Sequence, residues 1–273
     1  MADYAIERDG VSLSISDTGE GPAVVLAHGL TATRRYVVMG STALERSGHR
    51  VISYDARGHG VSSPAGRPED YSYDDLGRDM EAVLDAAGVG RAVLAGASMG
   101  AHTLLWLALH RPERVAGLVV ITPAYPDEFE DPARLARWDA LSAGLRTGGV
   151  EGFVEAYGDP EVPERWRETV LKVIRQRLSL HAHPEALADA LHVVPRSRPF
   201  ESLRDLDGIA VPAAVVVSDD EPDPGHPRAV GEAYAAVIPG ARLITDEPGR
   251  SPVAWQGSQL SKVIAGVVEE AAL

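Results

Sequence analysis

The stretch AVLAGASMG at residues 92–100 joins a short apolar run to a helical pattern through the turn GASMG at 96–100. The spacing G-x-S-x-G predicts a sharp strand-to-helix turn, a nucleophile elbow, that presents Ser98 at the top of a sheet. Glycine is expected at both ends of the turn, because side chains there would collide with the neighbouring strand and helix. A serine is a poor nucleophile without a base, so the function depends on where a histidine can approach Ser98.

The distribution of histidines is unusual for a chain with such a turn. In serine hydrolases with this turn the base follows the acid in chain order. No histidine follows residue 226, so the last part of the chain cannot supply that base. The nine histidines are His28, His49, His59, His102, His110, His181, His183, His192 and His226.

Length and composition exclude several classes of protein. A chain of 273 residues can form one large α/β domain with an insertion, and the absence of cysteine excludes a thiol nucleophile and cysteine-ligated metals. A net charge of -14 disfavours nucleic acid and membrane partners. The acidic start lacks the features of a signal peptide, so a cytoplasmic location is expected. Nothing implies a metal or an organic cofactor, and the oligomeric state is open.

Short apolar runs alternate with helical patterns along most of the chain. After an opening hairpin around Asp9-Gly10, this alternation predicts a mostly parallel sheet of about eight strands with helices on both faces. Residues 126–199 interrupt this alternation, because they show helical segments without a strand between them. We therefore expect an α/β core formed by residues 1–125 and 200–273, with residues 126–199 inserted as a helical cap.

Three motifs stand in order at the ends of predicted strands. They are HGL at 28–30, DARGHGVS at 55–62 and the turn around Ser98. With these motifs the chain resembles the α/β-hydrolase superfamily over nearly its whole length. The resemblance implies the α/β-hydrolase fold and a serine nucleophile, since relatives that open haloalkanes or epoxides carry aspartate at this turn.

The resemblance also implies an oxyanion hole. In this family one backbone N–H comes from the turn after the histidine-glycine pair, here Leu30, and the other from the residue after the nucleophile, here Met99. Histidine in the first motif is usually structural, and we expect His28 and His59 to bind neighbouring backbone.

An acidic segment follows the predicted strand 213–217, where the family carries its catalytic acid. We expect Glu221 to orient the base, with Asp220 as the second choice, while Asp219 and Asp223 belong to the same segment. Four like charges this close raise one another's pKa values, so they are not all expected to face a dry pocket. Asp127 and Glu128 form a weaker alternative.

The segment DEPGRSP at 246–252 stands where the family places its histidine, and it contains no base. Ser251 before proline suits a helix N-cap. We expect His226 to replace the missing base because it follows the acidic segment, and His102, one helical turn after Ser98, is the alternative. The remaining candidates His181, His183 and His192 are expected on the helical surface, although they could overhang the pocket.

Two classes of function remain open from sequence. The first is a serine-dependent hydrolase of a small carboxylic ester, lactone or thioester with a displaced base. The second keeps the fold without hydrolysis, as a lyase, a cyclase or a small-molecule-binding protein. Arg250 and Ser251 support the second class, because a guanidinium beside a helix N-terminus favours an anionic group.

Overall fold

The computed structural model describes residues 2–124, 131–218, 225–245 and 255–273. Eight strands in these residues form one sheet in the order β1-β2-β4-β3-β5-β6-β7-β8. The strands β1 and β2 run antiparallel to their neighbours, and the pairs from β4 to β8 are parallel. Their bounds are β1 Ala2–Arg8, β2 Val11–Thr18, β3 Ala23–Ala27, β4 Arg50–Tyr54, β5 Ala92–Ala97, β6 Val115–Ile121, β7 Ala213–Val217 and β8 Arg242–Thr245.

The sheet follows from the sequence patterns. Asp9 and Gly10 both have positive φ, 49° and 78°, which gives the tight turn between β1 and β2. Strand β2 alternates buried and half-buried residues, whereas β6 is buried along its whole length. Continuous apolar strands belong to a sheet that is covered on both faces. The predicted mostly parallel sheet is confirmed.

Helices cover both faces of the sheet. On one face α2, α3 and α7 pack against residues such as Val25 and Leu94. On the other face α1 and α8 pack against Val24 and Val93, the strand residues that directly precede Val25 and Leu94. The bounds are α1 Ala43–Arg46, α2 Tyr73–Ala86, α3 Met99–His110, α4 Pro132–Tyr157, α5 Glu164–Leu178, α6 Pro184–Val193, α7 Arg228–Val237 and α8 Gly257–Ala271.

Three of these helices, α4, α5 and α6, lie between β6 and β7, and we call the segment 131–199 the helical insertion. No strand occurs in it. Helix α4 bends at Gly149, whose φ of 59° and ψ of -144° are not helical. The two parts of α4 pack so closely that a Cβ on Gly144 would lie 2.4 Å from the carbonyl oxygen of Gly152. The division into a core and a cap stays a prediction.

In the parts of the chain that the structure describes, no helix combines the length and apolar character needed to span a bilayer.

Candidate active site

Ser98 occupies a strained position between β5 and α3. Its φ of 52° and ψ of -111° are rare for a residue with a side chain, and its N–H donates to the carbonyl of Ile121 at 3.0 Å. A Cβ on Gly96 would lie 2.5 Å from the backbone of Gly100, and one on Gly100 would lie 2.1 Å from the carbonyl oxygen of Ala27. Glycine at both positions therefore allows the sharp turn that the sequence predicts.

His226 meets the serine hydroxyl. Its Nε2 lies 2.9 Å from Ser98 Oγ, although the two residues are 128 positions apart in the chain. The imidazole is half-buried and stands just before α7, which begins at Arg228 after Pro227. This distance lets a neutral imidazole accept the hydroxyl proton directly. Of the two predicted candidates for the base, the geometry favours His226.

His102 makes different contacts. Its Nδ1 lies 3.0 Å from Tyr73 Oη, and its Nε2 lies 3.1 Å from Tyr234 Oη and 3.2 Å from the carbonyl oxygen of Ala124. Since Tyr234 donates to Ala124 at 2.7 Å, Nε2–H can donate to the tyrosine oxygen while Nδ1 accepts from Tyr73. Burial lowers the pKa of His102 to about 4. This environment does not suit the alternative role of base at Ser98.

The loop after β3 lies directly beside the elbow. A Cβ on Gly29 would be 3.6 Å from Ser98 Cβ. The next residue, Leu30, is the first expected oxyanion donor, and Met99, the first residue of α3, is the second. Both are buried. The oxyanion hole formed by their N–H groups stays a prediction.

His28 and His59 bind backbone, in agreement with the structural role expected for them. His28 accepts from the N–H of Ala56 through Nε2 at 3.0 Å and contacts the carbonyl oxygen of Gly29 through Nδ1 at 2.9 Å. Burial lowers its pKa to about 3. His59 contacts the carbonyl oxygens of Arg57 and Leu30, each at 2.8 Å. Burial lowers its pKa as well.

The histidines of the helical insertion differ from one another. His192 is exposed and pairs with Asp139 at 2.7 Å, as expected for a helix surface. His183 is half-buried at the start of α6. For His181 the surface expectation is wrong, because this residue lies in the connection after α5 and is only 8 % exposed. It contacts Gly60 and Thr31 across 121 and 150 residues, and no local pattern could reveal such contacts.

Several candidate residues lie outside the described residues. These are Asp127 and Glu128 after β6, Asp219, Asp220, Glu221 and Asp223 after β7, and Arg250 and Ser251 after β8. In the residues that the structure does describe, no group of histidine and carboxylate side chains is arranged to hold a metal ion.

Comparison with protein families gives one match that spans the elbow. A family model described as the alpha/beta hydrolase fold matches residues 22–147. This range includes the loop after β3, the turn around Ser98 and the first part of the helical insertion.

Individual proteins extend the similarity over the rest of the chain. A RutD protein of Variovorax paradoxus (strain S110), named for carbamate hydrolysis, is 33 % identical over 203 residues, or 74 % of this chain and 75 % of that protein. The 3-oxoadipate enol-lactonase 1 of Acinetobacter baylyi is 31 % identical over 149 residues, which cover 54 % of this chain and 53 % of that protein. The structure of a thermophilic esterase from Thermogutta terrifontis superposes with a TM-score of 0.79 at 25 % identity, covering all of both chains.

Proposed function

Because this chain belongs to the α/β-hydrolase fold family, we propose that it hydrolyses a small carboxylic ester, lactone or thioester, with Ser98 as nucleophile and His226 as a displaced base. The observation that carries this proposal is the distance of 2.9 Å between His226 Nε2 and Ser98 Oγ. A nucleophile and a base within hydrogen-bond reach are the minimum for acyl transfer through a serine.

The reaction proceeds in two halves. In the first, Ser98 Oγ attacks the carbonyl carbon while its proton passes to His226 Nε2. The tetrahedral adduct then collapses to an acyl-serine ester, and the proton goes to the leaving alcohol or thiol. In the second half, water gives a proton to Nε2 and attacks the ester, which releases the carboxylic acid and returns the proton to Ser98.

The negative charge on the carbonyl oxygen develops beside the elbow. We assign its stabilisation to the N–H groups of Leu30 and Met99. Leu30 follows Gly29, which packs against Ser98, and Met99 directly follows Ser98. Fixed donors of this kind contribute about 2.7–4 kcal/mol each to the transition state. Glu221 is our first choice for orienting His226, followed by Asp220, because these residues precede His226 on the same segment.

The relatives support the substrate class. One is named for carbamate hydrolysis, one is an enol-lactonase, and a structural neighbour is an esterase. All three names describe cleavage of a carbonyl bond to oxygen or nitrogen in a small molecule.

The proposal is tested with p-nitrophenyl acetate and butyrate, γ-butyrolactone and a fluorophosphonate probe. We expect ester turnover, and mass spectrometry should locate the phosphonyl adduct on Ser98 in the wild type and find none in Ser98→Ala. An intact protein that neither turns over these substrates nor reacts with the probe would favour the lyase, cyclase or binding alternative.

A further inference from the structure

Three consecutive carbonyls of the loop after β3 each face an imidazole nitrogen. The carbonyl oxygen of Gly29 lies 2.9 Å from His28 Nδ1, that of Leu30 lies 2.8 Å from His59 Nε2, and that of Thr31 lies 3.3 Å from His181 Nε2. The three rings form a row, with centroids 5.1 Å apart for His28 and His59 and 5.6 Å apart for His59 and His181.

The third imidazole comes from the helical insertion. The N–H of Gly60 donates to His181 Nδ1 at 3.0 Å, so this nitrogen carries no proton and Nε2–H is the donor to Thr31. The adjacent residue strengthens this contact, because Ala182 N–H donates to the carbonyl of Gly60 at 2.7 Å. His181 therefore bridges two loops of the α/β core through one defined tautomer.

A second residue of the insertion binds the same place. The guanidinium of Arg177, near the end of α5, donates to Thr31 Oγ1. Thr31 is thus held at its carbonyl and at its hydroxyl by two side chains of the insertion. On the core side, His28 Nδ1–H donates to the carbonyl of Gly29, whereas His59, whose neutral ring carries one proton, can donate either to Leu30 or to Arg57.

These contacts determine where the N–H of Leu30 points. A trans peptide is planar, and its N–H points opposite to its C=O. The carbonyl of Gly29 is fixed by His28 and by the N–H of Ala32 at 2.9 Å. The direction of the Leu30 N–H, in the same peptide, is then fixed as well. The carbonyl of Thr31, which His181 holds, belongs to the same planar peptide as the Ala32 N–H that donates to the carbonyl of Gly29, so His181 acts on the Gly29 carbonyl through one rigid group.

We infer that His181 is a positioning residue that holds the oxyanion loop, so that docking of the helical insertion prepares the enzyme to stabilise the transition state as well as covering the substrate. The inference rests on the proposed function, since it takes the Leu30 N–H as an oxyanion donor. It assigns to the insertion an effect on kcat, whereas a simple cover would act mainly on KM.

The test compares His181→Ala and His181→Gln with a matched control, His49→Ala. His49 is also 8 % exposed and binds local groups, the carbonyl of Leu44 and the hydroxyl of Ser47, away from the elbow. Both alanine variants remove a buried imidazole, so both lower the melting temperature. Only His181→Ala should lower kcat for p-nitrophenyl acetate, roughly tenfold to a hundredfold, which is less than the loss of a whole oxyanion donor.

The distinguishing measurement is inhibition by a short alkyl trifluoromethyl ketone, which forms a tetrahedral adduct with serine and places its oxyanion in the hole. The ratio of Ki to KM does not depend on how much of the preparation is folded. We expect this ratio to rise in His181→Ala in parallel with the fall in kcat, to recover partly in His181→Gln, whose amide can donate and accept, and to stay unchanged in His49→Ala.

The outcomes separate this inference from the proposed function. If Ser98→Ala is inactive and the ratio of Ki to KM is the same in His181→Ala as in the wild type, the positioning role is wrong while the hydrolase stands. If Ser98→Ala keeps its activity, the proposed function itself is wrong. If the ratio rises equally in His49→Ala, the effect is a general loss of stability and the inference fails.

Discussion

His226 and His102 are the two histidines that the sequence places near the elbow, and the structure gives them opposite surroundings. His226 is half-buried and its Nε2 meets Ser98 Oγ at 2.9 Å. His102 is 2 % exposed and lies between Tyr73 and Tyr234, where burial lowers its pKa to about 4. The difference shows that a histidine close to Ser98 in sequence need not reach its hydroxyl. A base needs a nitrogen directed at the nucleophile and the capacity to hold a proton near neutral pH.

The largest expected effect is that of removing the nucleophile, which tests the premise of the comparison. Ser98→Ala should lower kcat for p-nitrophenyl esters by about a million-fold, leaving only the contribution of binding and the oxyanion donors. The measurement is a progress curve at high enzyme concentration. The preparation must be purified with new resin and vessels, since traces of wild type would dominate. Substantial turnover in this variant would mean that neither histidine serves a serine mechanism.

The next effect separates the two histidines. His226→Ala should lower kcat at least roughly a thousand-fold, because the serine loses the group that takes its proton. The melting temperature should change little, since a half-buried side chain is removed. Added imidazole, a small base, is a useful second measurement, because it should restore part of the rate in His226→Ala and none in Ser98→Ala. A rate near that of the wild type would remove His226 from the mechanism.

The free energy of unfolding should fall with pH in a way that reveals the buried, neutral state of His102. In the unfolded chain its pKa is near 6.5, whereas burial lowers the pKa to about 4 in the fold, so the unfolded state binds a proton first as the pH falls. The stability that the fold gains by keeping His102 neutral is complete above pH 6.5 and is lost by about pH 4. The loss is on the order of 3 kcal/mol for this one group.

Urea unfolding between pH 7.5 and pH 5 measures the part of this loss that falls above pH 5. The wild type should lose more stability over the interval than His102→Gln, because glutamine does not titrate. His28 and His181 are buried too, with pKa values of about 3, and they persist in the variant, so the variant keeps most of its acid sensitivity. Parallel pH curves for the two proteins would contradict the buried neutral state of His102.

The smallest expected effect is that of His102→Gln on catalysis. The side-chain amide can still bind the tyrosines, so kcat at pH 7.5 should fall less than roughly tenfold. The variant His102→Ala, which removes the contact that His102 makes with the buried hydroxyl of Tyr73, should lose about 1–3 kcal/mol of stability. A fall in kcat for His102→Gln as large as that for His226→Ala would reverse the comparison.

How much the sequence predicts depends on how local the contacts are. The elbow is specified by the pattern of residues 92–100, an apolar strand followed by a serine between two glycines, and it packs against its neighbouring strands at Ala27 of β3 and Ile121 of β6. The sheet is predictable in the same way, since runs of five to seven apolar residues, counting glycine, identify β3, β5, β6 and β7. The parallel order and the helices on both faces follow from the alternation of these elements.

The histidines show where such reasoning ends. His226 is predicted as the base from the acidic segment before it, but the direction of its ring depends on where α7 packs on the sheet. His181 has no local signal at all, because its partners lie 121 and 150 residues away. The helical pattern of the insertion predicts a solvated surface there, and docking onto the loops at Thr31 and Gly60 determines the outcome instead.

The position of His226 immediately before α7 links turnover to the attachment of one helix. Helix α7 packs closely on β7, and a Cβ on Gly231 would lie only 2.0 Å from a methyl carbon of Val217. With His226 as the proposed base, any loosening of α7 on warming would move this residue away from Ser98 while the sheet is still folded. Heat inactivation would then begin below the global melting temperature and be reversed on cooling. The optimum temperature of this enzyme would thus depend on how firmly α7 packs on β7 rather than on the stability of the whole domain.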